Sequence, residues 1–470
     1  MIKRRKIMLT KSVIERIINT ALESQADFAE VFIEDKKQSS IMMQSNTVEQ
    51  AVNNIVFGIG IRVAKGYNSV YGYTNSSKEE DLIQLASDLS KSFQGERVRE
   101  IIKLGELKKG TKHRIKRMPD TVDMKEKVSI VKRANKAARE YSEEIKQVSI
   151  SYMDYVQNVW IASSEDIYVE DQRVRTRLGI HSVANDGKDM QSGFNGPGGL
   201  YGFEFYETFS VEEAAQEASR IAVTMLHADE CPSGVMPVVI DNGFGGVIFH
   251  EACGHSLEAT SVAKNASVFS GKKGEQIANP IVTAIDDGTI ENAWGSANFD
   301  DEGRPQQRRV LIKDGVLNTY MIDHLNGIRM NEKSTGSGRR ESYRYAPTSR
   351  MSNTYIDNGD STFNDIIQNT KYGLYAKKMG GGSVNPSTGD FNFAVMEGYL
   401  IRDGKIAEPV KGATLVGTGK DALKKIDMVG NNLLRAQGMC GSLSGSIPAD
   451  VGQPTLRVSS MTVGGRKAAN

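Results

Sequence analysis

The sequence predicts an α+β protein with small α/β regions first and a large β-rich domain after them. Three observations carry that prediction. The third unit, from about residue 235, is rich in glycine and in strand patterns. Asp314-Gly315 and Asp403-Gly404 each join alternating runs. Asp-Gly marks a tight hairpin, because both central residues of a type I′ turn need positive φ. Glycine is abundant (46) and proline scarce (11), which fits many turns between strands.

Taken in order, residues 10–25 read as an amphipathic helix with Val13, Ile14, Ile17, Ile18 and Leu22 on one stripe. Alternating segments follow at 29–33, 41–44 and 54–64, with turns expected at 65–66 and 72–75. Ser76 and Glu79 have capping-box spacing ahead of Leu82, Leu85, Ala86 and Leu89. Residues 107–119 are basic, carry little apolar pattern and end in proline, so they read as a linker. A helix at 124–141 opens a second unit, with strands expected at 147–153, 156–162, 167–169 and 176–184. The glycine-rich stretch 193–202 interrupts that pattern. Ser210 and Glu213 then cap a helix carrying Ala214, Ala218, Ile221, Ala222 and Met225. Cys231-Pro232-Ser233-Gly234 marks the next boundary. The expected division is therefore 1–118, 119–230 and 231–470.

Composition narrows the function. At 470 residues the chain has room for two or three domains, and 39% apolar with 25% charged residues is an ordinary globular balance. Lysine plus arginine (59) nearly equals aspartate plus glutamate (58), which gives no footprint of a nucleic-acid binder. No apolar run approaches the ~20 residues of a membrane helix. Three cysteines are too few for a disulfide framework, so a reducing, cytoplasmic setting is expected. Lys3, Arg4, Arg5 and Lys6 resemble the start of a signal peptide, but no apolar stretch follows. They read as a basic tail, with Met8 as an alternative start.

The chemistry concentrates near residue 250. Of six histidines, two fall in His250-Glu251-Ala252-Cys253-Gly254-His255. A strand pattern at 235–241, a glycine turn at 243–246 and a helix start at 247–249 precede them. The zinc motif HExxH puts two histidines on one helix face with a glutamate to activate water. Here the histidines stand at i and i+5, which on an ideal helix sets them ~140° apart. One metal can join both only if the helix kinks or carries a π-bulge at 252–254. A zinc site also needs a third ligand. Cys440, in the glycine-flanked Gly438-Met439-Cys440-Gly441, is a candidate on what reads as a free loop, and Cys253 lies inside the motif. On these residues alone, two ordinary histidines with inert thiols remain an equal reading. A thiol hydrolase with Cys440 as nucleophile is a further alternative. Ser442, Ser444 and Ser446 centre no Gly-Xaa-Ser-Xaa-Gly, and the 243–246 turn lacks the Lys-Ser/Thr of a phosphate loop.

A family resemblance adds to this reading. The nine residues from His250 to Glu258, Arg339-Arg340-Glu341-Ser342-Tyr343, PTSRMSNTY at 347–355, GGGSVNPSTGDFNF at 380–393, and the 438–465 stretch containing GMCG and VGQPTLRVSSMTVGG resemble the TldD family of metallopeptidases in the TldD/PmbA superfamily. Weaker similarity runs from about residue 10 to the end. TldE-like proteins share the fold but lack HExxxH, so the motif sets this chain on the catalytic side. The resemblance implies a TldD/PmbA-like fold and zinc held by His250, His255 and Cys440. It makes Glu251 the general base that takes a proton from the attacking water. It also implies flexible peptides as substrates, bound extended between two subunits, the partner being a TldE/PmbA-like chain or a second copy. Arg350, Met351, Asn353 and Asn385 lie in the shared blocks and are candidates to line that channel. A silent peptide-holding partner is the reading from another class. Thr260 stands where many relatives carry an acid. The family has also carried the label of a DNA gyrase modulator, which the charge balance here does not support.

Overall fold

A computed structural model describes residues 9–385 and 388–466. The basic residues Lys3, Arg4, Arg5 and Lys6, together with Met8, Pro386 and Ser387, lie outside the described residues. Three main sheets organise the chain.

The first is built around three long neighbours, Thr47–Lys65, Phe28–Gln44 and Ile145–Ser163, with Ile167–Asn185 next in line. All of these pairings are antiparallel; Val31 stands opposite Ile61 on one side and Ala162 on the other. The 29–33 and 41–44 segments are thus one strand, and 54–64 begins earlier, at Thr47. The extra length is hidden in the sequence because residues 47–55 are largely exposed and polar, so they show no apolar alternation. Ser45 (φ 46°) and Asn46 (φ 71°) make the connecting two-residue turn.

Helices cover one face of this sheet. Ile14, Ile17, Ile18 and Leu22 of the first helix, Lys11–Ala21 with its C-cap, pack with Leu82 and Ala86 on Val31, Ile33, Ile61 and Val63. Helices Met124–Arg139 and Val211–Leu226 cover Ile150, Leu178 and Ile180 farther along. Ser210 caps its helix as expected, accepting from the amide of Glu213 at 3.1 Å. The capping box at Ser76 does not form. The helix starts at Glu79, and Ser76 Oγ instead accepts from the Lys78 amide and bonds Asp81.

The opposite face is charged and also buried. Glu30 and Arg62 alternate with the apolar positions, and ion pairs tie this face to the C-terminal region: Arg62 to Glu302 at 2.7 Å, Arg173 to Asp301 at 2.5 Å, and Arg340 to Glu30. The stretch read as a linker is docked here. Lys108–Lys109 pairs in parallel with Val169 and Glu170, and the amides of Lys116 and Arg117 donate to Glu204. Backbone donors hold it, and composition does not register those.

In the second sheet, Tyr372–Val384 pairs with both Gly234–Ile240 and Asp390–Arg402, closing a ring through Leu456–Gly464 and Thr414–Thr418. Closure removes open edges. The third sheet runs Val316–Leu317, Arg308–Lys313, Ala284–Asp287, Asn353–Ile356, Gly445–Gln453 and Leu434–Ser442. Both Asp-Gly turns form as expected, with φ of 49° and 79° at Asp314-Gly315 and 51° and 71° at Asp403-Gly404.

Candidate metal centre

The strand Gly234–Ile240 leads through the tight turn Gly243–Gly246 into a helix that changes character within one turn. Gly246 is needed at that turn because a Cβ there would lie 2.4 Å from the Gly452 carbonyl oxygen. Val247–Phe249 is α-helical, and His250–Gly254 then forms a turn of π-helix in which the His255 amide donates to the His250 carbonyl. This i→i+5 bond converts a spacing unsuited to an α-helix into one that brings both imidazoles to the same side. Gly254 lets Met351 pack close against this turn: a Cβ there would sit 2.3 Å from Met351 Sδ.

Cys440 arrives from the third sheet. It lies in the edge strand Leu434–Ser442, opposite Ile447 of Gly445–Gln453. The expected free loop is therefore a hairpin strand; its glycines mask the strand pattern. Cys440 Sγ stands 3.2 Å from His250 Nε2 and 3.4 Å from His255 Nε2, and the three donor atoms all lie within 4.8 Å of one another. His250 and Cys440 are buried and His255 is largely so. Glu251, more open, places Oε2 3.7 Å from His255 Nε2. Two imidazoles and a thiol converging from separate elements fit a zinc ion, whose ordinary ligands these are.

Without a metal, the electrostatics favour a thiolate–imidazolium pair, from which a metal would have to displace the His255 proton. Burial opposes ionisation of Cys440, but His250 and His255 hold its thiol well below the usual range. Burial likewise opposes charge on His255, yet Glu258 and Cys440 hold its imidazolium well above the usual value. By contrast, Cys253 faces the apolar core, where burial alone pushes its thiol up. It takes no part in the cluster.

Glu258 is the residue the sequence reading missed. Its Oε2 lies 3.2 Å from His255 Nδ1, leaving Nε2 to face Cys440. A carboxylate behind a ligating histidine fixes its tautomer and raises its basicity. The only available signal was its place at the end of the shared block, three residues after His255. Its second oxygen is 3.8 Å from Arg350 Nε. Arg350 in turn donates to the carbonyls of Cys440 and Gly445 and to Ser444 Oγ. One arginine thus ties the hairpin of Cys440 to the acid behind His255.

That fixes where the channel candidates lie. Arg350, Met351 and Asn353 are fully buried, so none presents a face to a peptide. Met351 packs on Gly254, and Asn353 donates to Asp287 O and Ser296 Oγ while accepting from the Gly295 amide. Asn385 is exposed at the end of the hairpin formed by Tyr372–Val384 and Asp390–Arg402. Thr260 accepts the Ser349 amide at 3.1 Å, one residue from Arg350. An open groove of about 650 Å³ runs beside residues 434–439, with Phe194, Phe244, Met379 and Met396 among its walls.

Family models for the PmbA/TldA metallopeptidase match in three pieces: domain 1 over 29–92, the central domain over 117–226 and the C-terminal domain over 233–465. The chain belongs to the PmbA/TldD metallopeptidase family. A relative from Haemophilus influenzae, named a metalloprotease TldD homolog, is 35% identical and aligned over 97% of each chain. The fold is shared with a Thermotoga maritima protein described as a modulator of a DNA gyrase (TM-score 0.78, 22% identity, 97% of this chain and 100% of that one). It is also shared with TldE from Thermococcus kodakarensis (TM-score 0.75, 18% identity, 96% and 99%). Family membership accounts for the α+β architecture and its β-rich final region.

Proposed function

We propose that this chain is a zinc peptidase acting on flexible peptides, with His250, His255 and Cys440 as ligands and Glu251 as general base. The observation that carries the reading is the convergence of three donor atoms within 4.8 Å of one another, with an acid 3.7 Å from one of them. When bound, zinc supplies Lewis-acid polarisation of the scissile carbonyl and makes a neighbouring water more acidic. Glu251, on the open side of the cluster, takes the proton of the attacking water and returns it to the leaving amine. Glu258 holds His255 in one orientation throughout, and Arg350 keeps the Cys440 strand in place. The groove beside Leu434–Ser442 suits an extended peptide, because an edge strand offers backbone partners with little sequence preference. A TldE-like chain or a second copy is the expected partner, in a cytoplasmic setting. No helix among the described residues is long and apolar enough to cross a membrane.

The Cys440–His250 contact also resembles the pair of a thiol hydrolase. Metal removal separates the two, since only the zinc peptidase loses activity to a chelator. The direct test is Glu251→Gln. It keeps its zinc and lowers cleavage of an unstructured peptide by about 10²–10⁴-fold; undiminished cleavage would refute the assignment.

A further inference from the structure

The hairpin that carries Cys440 has a second face, and it closes a cavity of about 190 Å³ against the charged face of the first sheet. Lys36, Tyr155 and Arg175 of that sheet line it from one side, Arg339 and residues 446–448 from the other. A water molecule occupies roughly 30 Å³ in the liquid, so the space exceeds what one or two waters need.

Its charge is unbalanced. Arg173, Arg175 and Arg177 alternate along Ile167–Asn185, so their side chains leave the same face of the strand. Arg173 is paired with Asp171 and Asp301. Arg175 has only neutral acceptors: the Trp294 carbonyl at 2.7 Å, the Ser296 carbonyl at 2.6 Å and the Tyr155 hydroxyl at 3.1 Å. Arg339 donates to the carbonyls of Met351 and Pro448. Lys36 lies 4.4 Å over the Tyr155 ring. Among the described residues no ion pair includes Lys36, Arg175 or Arg339.

The acids at the cavity are engaged elsewhere. Asp301 takes Arg173 and the Arg340 amide, and Glu341 takes the Ser446 amide. Asp300 accepts three backbone amides, and burial with the charge of Glu302 pushes it up to about 8. Glu34, near Lys36, accepts from Gln157 and the Tyr343 amide. Burial, and after it the charges of Arg175, Arg350 and Arg173, pull the Arg339 guanidinium down to about 10 against the attraction of Asp301. Buried guanidiniums crowded this way are stabilised by an anion that accepts their spare donors.

We infer that this cavity is a binding site for a small, doubly charged oxyanion, phosphate or a dicarboxylate in size, held by Arg175, Arg339 and Lys36. The site is separate from the metal centre and lies behind the hairpin that presents Cys440. An anion there joins the first sheet to that hairpin, so its occupancy steadies the strand that completes the metal site.

The test is calorimetric titration of the metal-stripped full chain with sodium phosphate and with sodium succinate, against sodium chloride at equal ionic strength. The expected result is one saturable site per chain for at least one oxyanion and none for chloride. Whichever anion binds more tightly identifies the ligand geometry, tetrahedral or paired carboxylates. Lys36→Gln, a change at a half-buried position, is expected to weaken binding about tenfold, the effect of losing one charge-assisted contact. Arg175→Gln is expected to weaken it further, with circular dichroism confirming the fold. No saturable binding, equal binding in Lys36→Gln, or binding that appears only once zinc is restored would overturn the inference.

Discussion

The first sheet and the metal centre are built by opposite means. In the sheet, the strand pair Ile145–Ser163 and Ile167–Asn185 runs in nearly unbroken register from Gln147↔Val183 to Ser163↔Ile167, with one irregularity at its start. Position there follows from regular alternation. The candidate metal centre depends on departures from regularity: a π-helical turn, a following 3₁₀ turn at His255–Leu257, and Cys440, the proposed third ligand, on an edge hairpin. Regular structure holds elements in place, and irregular structure aims side chains that regular spacing would separate.

The comparison implies that damage to the two regions has different consequences. The largest effect is expected in the sheet. Ile180 is fully buried between Ile150 and the helix Val211–Leu226, so Ile180→Ala should cost roughly 2–5 kcal/mol of stability. Denaturant unfolding measures that loss. The folded fraction should still bind one metal per chain, and a metal content that falls with stability would show that the regions are not separable.

A smaller and more local effect is expected behind the ligands. Glu258→Gln keeps the shape but removes the charge facing His255, so metal affinity should fall about 10–100-fold. Competition with a chelator of known affinity reads this, and the unfolding midpoint of the metal-free chain should change little. An unchanged metal affinity would mean that Glu258 does not orient His255.

The mildest prediction concerns where the regions meet. Asp450 lies on Gly445–Gln453, accepts the Trp294 amide at 3.1 Å with one oxygen and has no partner for the other. Burial pushes its carboxyl up to about 7, although the Trp294 amide and nearby arginines oppose this. The fold therefore holds the proton more tightly than the unfolded chain, whose value is near 3.8. This contribution is complete below about pH 4 and is lost as pH rises through about 7. Asp450→Asn removes the loss, so the variant should gain stability relative to wild type as pH rises from 5 to 8. Parallel stability–pH curves would contradict it.

Much of this architecture was legible because it rests on local rules. Helix stripes such as Ile14, Ile17 and Ile18, the two Asp-Gly turns, and the need for a helical distortion between His250 and His255 all follow from short-range geometry. The remainder was not legible for equally physical reasons. The exposed half of Thr47–Lys65 is held by a backbone ladder that leaves no apolar signature. The docking of 107–119 uses backbone amides, and the buried face of Arg173 and Arg175 looks like solvent-exposed charge until the C-terminal region covers it. Family blocks located Arg350, Met351 and Asn353, but a shared block does not say whether a residue faces the peptide or supports the site. Their burial indicates support.

In the proposed function, a π-turn and an edge hairpin together make one metal site. The measurement that tests it most directly is zinc content by mass spectrometry of wild type, His255→Ala and Cys440→Ala, each folded and purified alike, with peptide cleavage followed in parallel. The account predicts about one zinc per wild-type chain, with metal and cleavage lost together in both variants. Zinc retained at full stoichiometry in Cys440→Ala, or cleavage that survives in either variant, would contradict it.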